Sequence, residues 1–220
     1  MKNKLLKNII LTAAIGAMIA IPVFAKNILP IWAKDNVSID KDDTARQTTE
    51  PEDAKEIIEE TADDVMNALK NKDAKALADY VHPEKGVRFT PYTRVSPEND
   101  MIVSKEDILV FFEDENLYLW GYYDGSGEEI KLTPAQYYDE FVYSEDFINA
   151  KEIGYNEVLT SGNMIENQFE VYKDSIIVEY HIPEIDPQFE GLDWQSLRLV
   201  FEEYDGSWKL VGIIHNQWTI

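Results

Sequence analysis

The sequence predicts an α+β domain in which N-terminal helices pack on a curved, mainly antiparallel sheet that ends in a long β-hairpin. Three observations carry this reading. An apolar stripe at three- and four-residue steps runs from Ala54 to Leu69, and short β-rich segments separated by turn residues fill the middle of the chain. Asp205-Gly206 then stands between two long strand patterns. Helices first and strands after is an α+β order, not the alternation of a parallel βαβ fold.

The first helix follows Pro51 and carries Ala54, Ile57, Ile58, Thr61, Ala62, Val65, Met66 and Leu69 on one face. Acids crowd its first turns, where the helix dipole favours them. Asp73 is placed to cap a second short helix with Ala74, Leu77, Ala78 and Val81, which Pro83 ends. A loop and strand span 86–95. Ser104 and Asp107 have the spacing of a capping box opening a helix through Phe112. Residues 117–123 read as a strand, Asp124-Gly125-Ser126-Gly127 as a turn, and 129–132 as the return. Thr133-Pro134-Ala135-Gln136 starts a helix that carries Tyr137, Tyr138, Phe141 and Val142. Further strands are expected over 153–159 and 175–182.

The hairpin predicts its own register. Pairing Tyr204 with Ser207 sets Glu202 opposite Lys209, a favourable cross-strand pair. The same count groups Leu197, Leu199 and Phe201 with Leu210 and Ile214. The other face then holds Trp194, Ser196, Arg198, Val200 and Tyr204 with Val211, Ile213 and His215, and Ser196 faces His215.

The chain has 220 residues, 20 basic against 42 acidic, and no cysteine. Disulfides, thiolate metal sites and a cysteine nucleophile are excluded. A nucleic-acid partner is not expected, because phosphate neutralisation needs clustered Lys and Arg. Residues 1–25 read as a signal peptide: Lys2, Lys4 and Lys7, an apolar run from Ile9 to Ala20, and small residues Val23 and Ala25 before a cut. The run is short of the roughly 20 residues a crossing needs. The alternative is an uncleaved N-terminal anchor. Cleavage would remove three lysines and no acid, leaving the chain more acidic and without stable membrane association. Residues 26–50 read as a flexible polar linker and 51–220 as one domain, so the expected location is secreted or extracytoplasmic.

Over 52–220 the element order resembles the cone-shaped fold of the nuclear-transport-factor-2-like (NTF2-like) superfamily, which includes ketosteroid isomerase and polyketide cyclase relatives. Three segments carry a closer resemblance, to uncharacterised exported proteins of low-GC Gram-positive bacteria. They are His82-Pro83-Glu84-Lys85-Gly86-Val87-Arg88-Phe89, Tyr118-Leu119-Trp120-Gly121 with Asp124-Gly125-Ser126-Gly127, and Asp193-Trp194 through Trp218-Thr219-Ile220. The resemblance implies a location and a fold, and no reaction.

No G-x-S-x-G elbow, Walker loop or dinucleotide glycine fingerprint occurs, and no cofactor is expected. His82, His181 and His215 lack the spacings of a zinc site, although two of them lie on predicted strands and could approach each other. Asp124 to Glu129 lacks the alternating acids of a calcium loop. The candidate ligand site is the mixed hairpin face. There Trp194, Arg198 and His215 would join an aromatic surface, a fixed cation and a group that titrates near neutrality. Tyr118, Trp120 and Tyr122 share a face of another strand and could line the same concavity. An isomerase-like reaction would draw on His215 or Asp193 with a tyrosine. The loop from His82 to Arg88 is a second suspect, read first as a rigid connection. Non-enzymatic binding of a small ligand or protein partner is the favoured function, with an isomerase, dehydratase or hydrolase as runner-up; a homodimer through the mixed face stays open.

Overall fold

The computed structural model describes residues 49–219. The predicted leader and most of the predicted linker lie outside the described residues. Helix α1 spans Pro51–Lys70, with Pro51 in its first turn beside Glu52 and Asp53. It buries Ala54, Ile58, Ala62, Val65, Met66, Ala68 and Leu69, while Ile57 of the expected stripe is exposed. Helix α2 spans Ala74–Tyr80, and the Asp73 side chain caps it by accepting from the Ala76 amide at 2.9 Å.

Strands β1 (Val87–Thr90), β2 (Met101–Val103), β5 (Glu152–Tyr155), β6 (Ser175–Ile182), β7 (Gln195–Tyr204) and β8 (Ser207–Gln217) form one curved sheet in the order β2-β1-β8-β7-β6-β5. Every pairing is antiparallel except β1 against β8, which is parallel. The long hairpin β7–β8 stands at the centre, as its strand lengths predict. Strands β3 (Tyr118–Tyr122) and β4 (Glu129–Leu132) make a separate two-stranded ribbon.

Period-two alternation divides the large sheet into two unequal faces. Val178, Tyr180, Leu197, Leu199, Phe201, Leu210 and Ile213 join α1 in the main core. On the other face, Ile177, Val200, Val211 and Ile214 pack with Val95 and Tyr172 in a smaller cluster. The segment that covers this second face leaves the sheet at Asn156. Asn156 has φ of 51°, and its side chain accepts from the Ile177 amide at 2.8 Å, so pairing stops there and the strand expected over 153–159 ends at Tyr155.

Helix α3 is short, Lys105–Ile108, and continues as turns through Asp114; the Ser104 hydroxyl accepts from the Asp107 amide at 3.1 Å. Helix α4 (Pro134–Tyr137) opens on a complete capping box. Thr133 Oγ1 accepts from the Gln136 amide at 3.2 Å, and Gln136 Oε1 accepts from the Thr133 amide at 2.9 Å. The chain then widens into a π turn over Tyr138–Val142, burying Tyr138, Phe141 and Val142. A last short helix, α5, spans Gln168–Val171.

The hairpin register holds at its tip, with Tyr204 opposite Ser207 and Glu202 opposite Lys209. It changes beyond Phe201. A β-bulge puts Val200 opposite Gly212, Leu199 opposite Ile213 and Leu197 opposite His215. One extra residue inverts every later side chain. Ile213 and His215 therefore point to the main core, and Ile214 joins the face of Arg198. The bulge falls beside Gly212, where a Cβ would lie 2.8 Å from the Tyr172 hydroxyl. The glycine lets Tyr172 pack directly on the strand.

Candidate functional site

The structure separates the residues expected to share the mixed face. His215 is buried on the core side, its ring edge-on to Phe141 with centroids 5.7 Å apart. Burial pushes its pKa down to about 4, against a hydrogen bond to Gln217 that raises it. Its expected partner Ser196 lies opposite Asn216 and hydrogen-bonds His181 Nδ1 at 2.9 Å. His181 and His215 occupy opposite faces of the sheet, so they do not approach each other as a pair. Trp194 is buried beside the His181 ring, with Gly162 of the covering segment against it.

Arg198 is 1% exposed and ion-paired. Its Nε donates to Glu179 Oε2 at 3.0 Å and its Nη1 to Glu166 Oε2 at 2.6 Å, while Nη2 reaches the Thr160 carbonyl at 3.2 Å. Desolvation works against its charge, and Glu179 and Glu166 more than offset that, so its pKa lies above the ordinary arginine value. The guanidinium fastens the covering segment to the sheet. Its donors are thereby engaged within the chain.

Tyr118 and Trp120 remain together. Tyr122 does not join them, because a second bulge, between Leu119 and Gly121, turns it to the Leu119 side, where it is exposed. Gly121 has φ of 152°, and a Cβ there would lie 3.1 Å from Pro91. Trp120 is buried, stacks on Tyr137 at 4.0 Å and meets Phe89 and Phe111 edge-on. Its indole N–H donates to the Leu132 carbonyl at 3.0 Å, which fixes the ring.

Phe111 and Trp120 form the floor of a cleft of about 180 Å³, with Met101, Val103 and Pro134 as further apolar walls. Tyr118, Asp107 and Asp114 supply its polar groups. The Tyr118 hydroxyl donates to Asp114 Oδ2 at 2.7 Å. Asp114 also accepts from the Asn116 amide at 2.9 Å, and these bonds, the amide first, hold its carboxyl below the usual carboxylate range. Bonding to Asp114, and secondarily burial, raises the Tyr118 phenol. Among the described residues neither Asp107 nor Asp114 forms an ion pair. Chemically, this is an anionic mouth over an aromatic floor. Sequence reasoning found the aromatic pair and missed both acids as site groups: Asp107 stands in α3, where its spacing from Ser104 reads only as a cap, and Asp114 ends the turns that follow.

No family model matches the chain, and no curated protein does. Among solved structures, an NTF2-like protein from Cytophaga hutchinsonii is 12% identical, covering 73% of this chain and 94% of that one, with a TM-score of 0.35. An NTF2-like protein with a cystatin-like fold from Novosphingobium aromaticivorans is 10% identical over 74% of this chain and 81% of that one, with a TM-score of 0.33. An NTF2-like protein of unknown function from Shewanella oneidensis is 8% identical over 73% of this chain and 96% of that one, also at 0.33. The α+β assignment rests on the strand order and pairing described above.

Proposed function

We propose that the chain is an exported, non-enzymatic binding module whose Tyr118–Trp120 cleft takes one aliphatic amine. The observation that carries this reading is the pairing of two carboxylates lacking ion-pair partners among the described residues with a fixed aromatic floor. An ammonium group gains from the acids at the mouth, and the adjoining methylenes gain from the rings. The volume is below the roughly 300–1,000 Å³ of drug-sized sites, which suits a single small group. Export is supported by Lys2, Lys4 and Lys7, the apolar run after them, and Val23 and Ala25.

The catalytic alternative draws on Asp193 and His215. Asp193 accepts from the amides of Ile185 and Asp186, at 3.3 and 2.6 Å, and the His215 ring is buried against Phe141. Both groups are committed to structure, which favours binding. Calorimetric titration of the full chain with n-pentylammonium and with pentanol tests the proposal. Pentylammonium should bind, pentanol should not, and Asp114→Asn should weaken the amine about tenfold. Equal binding of the two, or none of the amine, would end this reading.

A further inference from the structure

A second cleft, of about 320 Å³, lies on the other face of the sheet from the main core, beyond the loop that runs from His82 to Arg88. Ile102, Val171 and Val211 give it apolar walls; Lys85, Arg88, Tyr172 and Glu202 give it polar ones. Lys85 and Glu202 are paired with each other. Arg88 is different. Its Nη1 donates to the Pro97 carbonyl at 3.2 Å and to the Ser96 carbonyl at 3.5 Å, and among the described residues it forms no ion pair. Asp100 is close enough to be felt electrostatically, but its carboxylate already accepts from the Thr90 hydroxyl at 2.7 Å and the Ser96 amide at 2.8 Å.

The second observation concerns the neighbour of Arg88. Tyr172 is 7% exposed; burial pushes its phenol up to about 12, the Arg88 guanidinium beside it works the other way, and no acceptor among the described residues takes its buried proton. A buried hydroxyl of this kind costs free energy unless something completes it. Gly212 directly opposes Arg88 in the β1–β8 pairing, and the Tyr172 hydroxyl sits over that glycine. The sheet thus brings to one spot a cation with no acid partner among the described residues and a phenol whose proton has no acceptor, with aliphatic side chains alongside.

We propose that this cleft binds a carboxylate bearing a short aliphatic tail, its oxygens on Arg88 and the Tyr172 hydroxyl and its tail along Ile102, Val171 and Val211. A guanidinium matches a carboxylate in shape and charge, and the phenol supplies the adjacent donor. The volume falls within the usual range for small ligands. Ile102 lines both this cleft and the amine cleft, and no other residue is shared, so either can fail alone.

Calorimetric titration of the full chain with hexanoate, hexanol and inorganic phosphate tests this. Hexanoate should bind saturably, and the other two at least about tenfold more weakly, because each lacks either the charge or the tail. Arg88→Gln should abolish hexanoate binding. Tyr172→Phe should weaken it severalfold while the melting temperature stays nearly level, since no acceptor loses a donor and Arg88 keeps its bonds to the Ser96 and Pro97 carbonyls. That variant keeps the test open if Arg88→Gln fails to fold. Absence of hexanoate binding, equal binding of hexanol or phosphate, or unchanged affinity in folded Tyr172→Phe would overturn the assignment.

Discussion

Arg198 and Glu179 face each other across β7 and β6, Nε to Oε2 at 3.0 Å, with neither side chain more than 1% exposed. Glu166 shares the same guanidinium from the covering segment. Arg198→Ala should therefore cost about 3–5 kcal/mol, because it strands a buried carboxylate. The double replacement Arg198→Met with Glu179→Leu removes both charges and should be much milder. Urea unfolding of the three chains checks the order; a loss below about 0.5 kcal/mol for Arg198→Ala would mean the pair is solvated.

Gly212→Ala should destabilise by about 1–3 kcal/mol, since its Cβ would lie 2.8 Å from the Tyr172 hydroxyl and 3.2 Å from its ring. In a Tyr172→Phe background the hydroxyl contact disappears and the cost should fall. A double-mutant cycle by thermal melting reads this coupling directly. Additive effects would place the strain elsewhere.

His215 links stability to pH. Its folded pKa, pushed down to about 4 by burial, is below the ordinary 6.5, so the unfolded chain binds the proton more readily. The stabilisation from its neutral form is complete above pH about 6.5 and is lost as pH falls towards 4. The full effect is roughly 3 kcal/mol. His215→Leu should remove this slope and lose little else, because the buried Nδ1 has no partner. Denaturant midpoints of both chains between pH 4 and 7 give the comparison; parallel curves would contradict the assignment.

The leader makes a separate prediction. Secreted chain should begin at Lys26, read by N-terminal sequencing. Intact Met1 recovered with membranes would instead identify an anchor.

Local chemistry was legible in the sequence. The stripe of α1, the Asp73 and Thr133 caps and the Asp205-Gly206 turn each depend on a few neighbouring residues, and each stands where the pattern puts it, the exposed Ile57 of the stripe apart. The site was less so. Counting by twos along β8 carried His215 to the wrong face because one bulge intervenes, and the same happened to Tyr122 in β3. Both bulges adjoin a glycine within a strand, the available signal for a broken register. The parallel partner of β8 and the acids around Arg198 come from distant segments, and no local pattern encodes them.

The sheet's two margins are short: three residues in β2 and four in β5, against ten and eleven in the central hairpin. A neighbouring chain seeking to extend the ladder would find only a few open rungs at either side. The long, strongly apolar strands that would template a fibre are locked in the middle, each with a partner on both flanks. Placing these strands between short neighbours keeps an aggregation-prone core segment out of reach of the protein's own copies.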